Sequence, residues 1–141
     1  MTPKDLPASE AKSRILQMLK KNNFVSFATF GEAHPDVRVL VVTANDGTDA
    51  LWFATETEST KIAQLKKNPN ATIYAYDTEP MQEFRLFGNV ELLTDSASRQ
   101  KVWQADFTEH WPDGIDSPAM IVLRFTTASG VYSNWDEIGR F

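Results

Sequence analysis

The sequence contains no cysteine, which excludes disulfides, thiolate metal sites and thiol catalysis. It has only two histidines, His34 and His110, so a histidine-based metal site has little to draw on and no Ser/His/Asp arrangement is visible. Neither a P-loop nor a dinucleotide glycine fingerprint occurs. No apolar run approaches the length of a membrane span, and the opening stretch MTPKDLPASEAKS lacks the apolar segment of a signal peptide, so a cytoplasmic protein is expected. Basic residues are outnumbered, 14 Lys and Arg against 19 Asp and Glu, for a net charge of −5. That balance argues against a nucleic-acid backbone or an anionic membrane as the main partner. It leaves room for one local basic pocket that takes a small anion.

What is present reads as a globular chain. Its 141 residues are 42% hydrophobic and 23% charged, enough for one domain with a core that needs no covalent staples. Residues 1–8 read as a flexible, Pro-punctuated tail ahead of a single domain over 9–141. From Ser9, a plausible cap, the residues Ala11, Ile15, Met18 and Leu19 fall on one helical stripe that ends at Lys20–Lys21–Asn22–Asn23. Phe24 to Phe30 and Val37 to Thr43 are rich in β-formers, and Asn45–Asp46–Gly47 signals a hairpin into a strand that starts at Leu51. Further strands are predicted over Ala71 to Tyr76, over Glu83 to Leu93 with a bulge or close contact at Gly88, and over Ala119 to Trp135 with a break near Gly130. Asp95–Ser96 caps a short helix running to Trp103, and residues 107–118 carry too many breakers for regular structure beyond a brief helix near Phe107 to Trp111. Short connections between strands favour antiparallel pairing. The fold class that follows is mainly β: a small antiparallel barrel with flanking helices.

The stretch LWFATETESTKIAQLKK, Leu51 to Lys67, is the most suggestive for function. A strand passes through a polar turn into a helix that opens Ser59, Thr60, Lys61. A helix N-terminus presents unpaired N–H groups and the positive end of a dipole; two hydroxyls and an ammonium complete a phosphate-sized site. Ser and Thr at such a position also serve as ordinary caps. Arg38 is the second notable charge. Alternation along Val37–Arg38–Val39–Leu40–Val41–Val42 puts it on the face of Leu40 and Val42, where a guanidinium needs an anionic partner from the protein or from a ligand. Among four tryptophans, three tyrosines and nine phenylalanines, most must fill the core. Trp135 follows the last predicted strand and either closes a pocket over a flat ligand or packs a subunit contact.

Taken in order, four pieces resemble the flavin-binding split-barrel family related to pyridoxamine 5′-phosphate oxidase, and within it the short general stress proteins. They are the Arg inside the apolar strand Val37 to Val42, the strand–turn–helix from Trp52–Phe53–Ala54–Thr55 to Ser59–Thr60–Lys61, the Asn68–Pro69 that closes this helix, and Phe87–Gly88–Asn89–Val90–Glu91. The resemblance implies a split β-barrel that binds FMN non-covalently at a homodimer interface. By position, Arg38 would reach the phosphate or ribityl chain, and the backbone of Val39, Leu40 and Val41 would run along the isoalloxazine. Phe53, Ala54 and Thr55 would line the flavin, and Ser59, Thr60 and Lys61 would hold its phosphate. Glu83 and Trp135 match a polar contact and a C-terminal aromatic near the flavin. Two departures stand out: Thr60 occupies a position that is basic in the true oxidases, and Asp136 to Phe141 does not reproduce their C-terminal Arg-Leu-x-Pro type segment. Both argue against vitamin B6 oxidase activity. The resemblance implies a flavin-dependent oxidoreductase acting on a small molecule, with a role in stress response; a flavin-binding sensor without turnover, or a barrel holding haem or a deazaflavin, are the alternatives.

Overall fold

The computed structural model describes residues 2–141, so Met1 of the expected tail lies outside the described residues. In chain order the elements are β1 (Lys4–Leu6), α1 (Ala8–Lys21), β2 (Phe24–Phe30), β3 (Pro35–Val41), β4 (Ala44–Asp46), β5 (Ala50–Glu56), α2 (Thr60–Lys67), β6 (Asn70–Thr78), β7 (Met81–Leu93), α3 (Ser96–Val102), a 3-10 turn (Ala105–Glu109), β8 (Met120–Asn134) and β9 (Glu137–Arg140). The nine strands form one sheet in the order β1-β9-β8-β7-β6-β2-β3, and β5 joins β8 on one side and β4 on the other. Only β1 and β9 run parallel; every other pair is antiparallel.

The sheet forks at β8. One edge of this long strand pairs with β7 along most of its length, while the other edge meets β5 through Met120–Thr126 and β9 through Val131–Ser133. A single strand that serves two partners in succession gives a split barrel rather than one closed ring, and the mainly β, split-barrel class expected from the sequence is the observed one. The strand does not break at Gly130. Both backbone groups of Gly130 bond to Phe141, at 2.9 and 3.1 Å, which carries the pairing through the glycine. Nor is Lys4–Leu6 free of structure: within the stretch read as a tail, it pairs with Glu137–Gly139.

The core divides in two. The larger part joins the α1 stripe Ala11, Ile15, Met18 and Leu19 to the inward residues of the barrel, with Phe27 packed edge-on against Phe53 at 5.3 Å. The smaller part gathers Trp52, Val102, Trp111, Met120 and Val122 beneath α3. Burying side chains of this size stabilises by about 1.5–3 kcal/mol each, which sets the large aromatic residues as the main source of stability. Local signals hold where expected: Gly47 takes φ +56° in the hairpin turn, and the Asp95 carboxylate accepts from the Ser98 N–H at the start of α3, as a cap should.

Gly88 marks an irregularity. The β7–β8 register shifts between Phe87 and Gly88, leaving Ala128 as the extra residue on β8. A Cβ at position 88 would collide with the carbonyl oxygen of Thr126 and meet the Phe125 ring at 2.9 Å. Backbone cannot step aside as a flexible side chain can, so Gly88→Ala is expected to cost about 2 kcal/mol. Urea unfolding would measure this; an unchanged midpoint would show that the bulge has room to spare.

Candidate functional site

The site begins with which way β3 faces. Its residues alternate, with Asp36, Arg38 and Leu40 turned inward and Val37, Val39 and Val41 outward. Register places Arg38 across from Phe27 and Asp36 across from Thr29 on β2. The Arg38 guanidinium, as its position on an apolar strand requires, is met by oxygen at both terminal nitrogens. Nη1 donates to the Phe27 carbonyl (3.2 Å) and the Thr29 hydroxyl (2.8 Å); Nη2 donates to Asp36 (2.9 Å) and Gln64 (3.0 Å). The partner that Arg38 called for thus exists within the protein, as a carboxylate two residues away.

Lys61 lies in the first turn of α2. Its Nζ donates to the Thr55 hydroxyl at 2.8 Å, and no ion pair among the described residues involves it. Burial first, and the nearby Arg38 guanidinium second, hold the Lys61 ammonium below the usual lysine range. The Glu56 carboxylate offsets this only in part, and two cations placed close together, one of them in no ion pair, form a local positive field that an anion would relieve. Ser59 occupies the N-cap position, yet its hydroxyl donates to the Glu56 carbonyl at 2.8 Å and makes no cap bond to the helix. The plain capping role therefore does not account for Ser59. Thr60 is exposed at the same helix end.

Thr55, which accepts from Lys61, lines a cleft of about 430 Å³. Val39, Leu40 and Val41 of β3 form one wall and Ala54, Thr55 and Glu56 of β5 the floor. The opposite wall comes from Gln104, Asp106, Phe107, His110 and Trp111. These last residues were not among those expected from the sequence. A signal was available in the spacing of Trp103, Phe107 and Trp111, four residues apart. Their rings stack edge to face at 5.6 and 5.5 Å, and this ladder gives the wall its rigidity. The loop that follows the wall is tied down by Arg99, which is 7% exposed and donates to the carbonyls of Thr94, Ile115, Ser117 and Met120.

Of the residues expected to bind a cofactor, Val39, Leu40, Val41, Ala54 and Thr55 line this cleft, and Lys61 touches it through Thr55. Phe53 does not: its side chain is fully buried in the core, because alternation along β5 turns it away from Ala54. Trp135 is elsewhere within the chain. It is 78% exposed and borders a separate depression of about 450 Å³ with Tyr74, Tyr76, Met81, Gln82, Glu83, Ser133 and Asn134. There the Tyr74 hydroxyl donates to Glu83 at 2.6 Å, and that bond pushes the phenol up to about 12.

Between the two depressions the outer face of the sheet is apolar. Val37, Val39, Phe24 and Phe30 are each more than half exposed, as is Tyr76, and β3 pairs only with β2, leaving its other edge open. No described helix is long and apolar enough to cross a membrane.

With this geometry in place, comparison with known proteins is informative. The family model described as pyridoxamine 5′-phosphate oxidase matches residues 11–133. A search of curated proteins by sequence gives no match. Among solved structures, a Clostridium acetobutylicum protein related to general stress protein 26 of B. subtilis is 26% identical, with 94% of each chain covered and a TM-score of 0.84. General stress protein 26 of Bacillus anthracis is 18% identical over 92% of this chain and 98% of that one, with a TM-score of 0.77. A FAD-binding protein from Mesorhizobium loti is 16% identical over 85% of this chain and 90% of that one, with a TM-score of 0.68. The chain therefore belongs to the pyridoxamine 5′-phosphate oxidase family and groups with its general stress proteins.

Proposed function

We propose that the protein binds FMN in the cleft between β3, β5 and the 104–111 wall, and that it acts as a flavin-dependent oxidoreductase on a small molecule. The observation that carries this is Lys61: a partly buried ammonium in no described ion pair, at the start of α2, near Arg38 and bonded to the cleft residue Thr55, with only the weaker field of Glu56 to offset it. A flat ring seated against Val39 to Val41 and Ala54, with a phosphate reaching the α2 N-terminus, uses both the apolar wall and the cation pair. Strand backbone at the cleft edge can meet the polar rim of such a ring, while Ser59 and Thr60 add hydroxyls to the phosphate end. A bound flavin supplies the electron transfer; the protein sets its orientation, its access and the charge around it. The presence of a FAD-binding protein among the structural neighbours agrees with a flavin.

The working form in this reading is a homodimer. Its contact is the open β3 edge with exposed Val37, Val39, Phe24 and Phe30, a surface larger in apolar content than a solvated edge strand normally carries. A second copy across that face would bring its own Trp135 and Glu83 toward the cleft, which explains why these residues stand apart from it within one chain.

Titration of the apoprotein with FMN, with riboflavin as the control without phosphate, tests the assignment. FMN should bind at least about tenfold more tightly, and Lys61→Ala should abolish most of that difference, since charge-assisted contacts contribute roughly 1.5–3 kcal/mol each. Equal affinity for both flavins would sink the phosphate site. Bleaching of the bound flavin by NADH or NADPH separates turnover from a sensor role: a rate no faster than that of free FMN would leave only binding.

Lys61 also makes a prediction without ligand. Its folded pKa lies below its unfolded one, so between the two the unfolded chain binds the extra proton, and apoprotein stability rises with pH across that window below about 10.4. Lys61→Met should remove this rise, and saturating FMN should close it in the wild type by holding the ammonium charged. Thermal melts against pH measure both; parallel profiles for the two apoproteins would place the lysine outside any such strain.

A further inference from the structure

The bonds around Arg38 close into a ring. Besides the four donated by Arg38, the Thr29 hydroxyl donates to Gln64 Oε1 at 2.6 Å and Gln64 Nε2 donates to Asp36 Oδ2 at 3.1 Å. Four side chains from three elements take part: Thr29 from β2, Asp36 and Arg38 from β3, and Gln64 from α2. Thr29 is 3% exposed, and the Gln64 amide, ahead of the Arg38 guanidinium, holds the Asp36 carboxyl below its usual range.

Such a ring does two things for an anion nearby. A free arginine side chain carries rotamer entropy that a ligand would have to overcome on binding. Here the guanidinium is already fixed, so that cost falls on folding rather than on recognition. Gln64 also follows Lys61 by three residues on α2, on the same side of the helix. Locking Gln64 to β2 and β3 sets the rotation of α2 that brings Lys61 to Thr55.

We infer that Thr29, Asp36 and Gln64 are positioning residues for the phosphate end of the cleft, preorganising Arg38 and α2 so that the site selects phosphorylated over unphosphorylated flavin. This rests on the FMN reading above, and nothing in it requires the three residues to touch the ligand. Thr29 offers the cleanest substitution, because Val has the same shape and suits a strand while lacking the hydroxyl.

FMN and riboflavin are titrated into the wild type, Thr29→Val and Thr29→Ser, following flavin fluorescence. Thr29→Val should weaken FMN about three- to tenfold and leave riboflavin within about twofold, and Thr29→Ser should restore FMN binding. Equal weakening of both flavins would make Thr29 a plain packing residue, and unchanged FMN affinity would make the ring irrelevant to binding; either result overturns the inference. If Thr29→Val does not fold, Gln64→Met, which cuts the same ring from the partly exposed helix, is held to the same pair of outcomes. A wild type that fails to prefer FMN refutes the underlying reading, and the inference with it, and is distinguished by being seen before any variant is compared.

Discussion

A guanidinium turned inward from an edge strand must be answered by oxygen, and Arg38 is answered by groups from two strands and a helix. Leaving such a charge unpaired away from water would cost several kcal/mol, so the positions of β2, β3 and α2 are tied to one another through it. That tie decides more than local packing. It holds α2 against β2 and β3, and with it the Lys61 ammonium, which takes part in none of the described ion pairs and donates to the cleft residue Thr55. The ring adds a polar tie to the apolar one that Ile62 and Leu65 of α2 make with the core.

The cleft itself depends on the forked sheet. Because β8 serves β5 along its first half and β9 along its second, the barrel opens between β3 and β5 instead of sealing there. The gap is covered by the 104–111 wall, whose only regular element is a short 3-10 turn, braced by a stack of three aromatic rings and followed by a loop that Arg99 holds. A wall built this way can differ between relatives without disturbing the barrel, since its anchors are carbonyl groups and ring faces rather than strand pairing. Ligand choice and substrate access in a flavin-binding reading would then reside in this segment, while the phosphate end remains with the barrel.

Much of this was legible before folding. The α1 stripe, the Asn45–Asp46–Gly47 turn, the Asp95 cap, the irregularity at Gly88 and the inward face of Arg38 all follow from signals within a few residues: period, turn chemistry and the cost of burying charge. Each was found in place. Strand β9 and the pairing of Lys4–Leu6 were not visible, because both are short and mostly polar and exist only through each other and through β8. Phe53 was expected at the cofactor, yet β5 pairs so that Phe53 meets Phe27 in the core while Ala54 and Thr55 reach the cleft.

The sequence alone therefore determined most of the element types and the mainly β class, since those follow from local periodicity and side-chain chemistry, while the split barrel was implied by the resemblance to a known family. Only the tertiary structure decided that Thr29 and Gln64 join Asp36 around Arg38, that Gln104 to Trp111 line one cleft with Val39 to Val41, and that Trp135 stands apart. Those are relations between segments far apart in the chain. Sheet register and the fork at β8 set them, and neither is encoded in any window of a few residues.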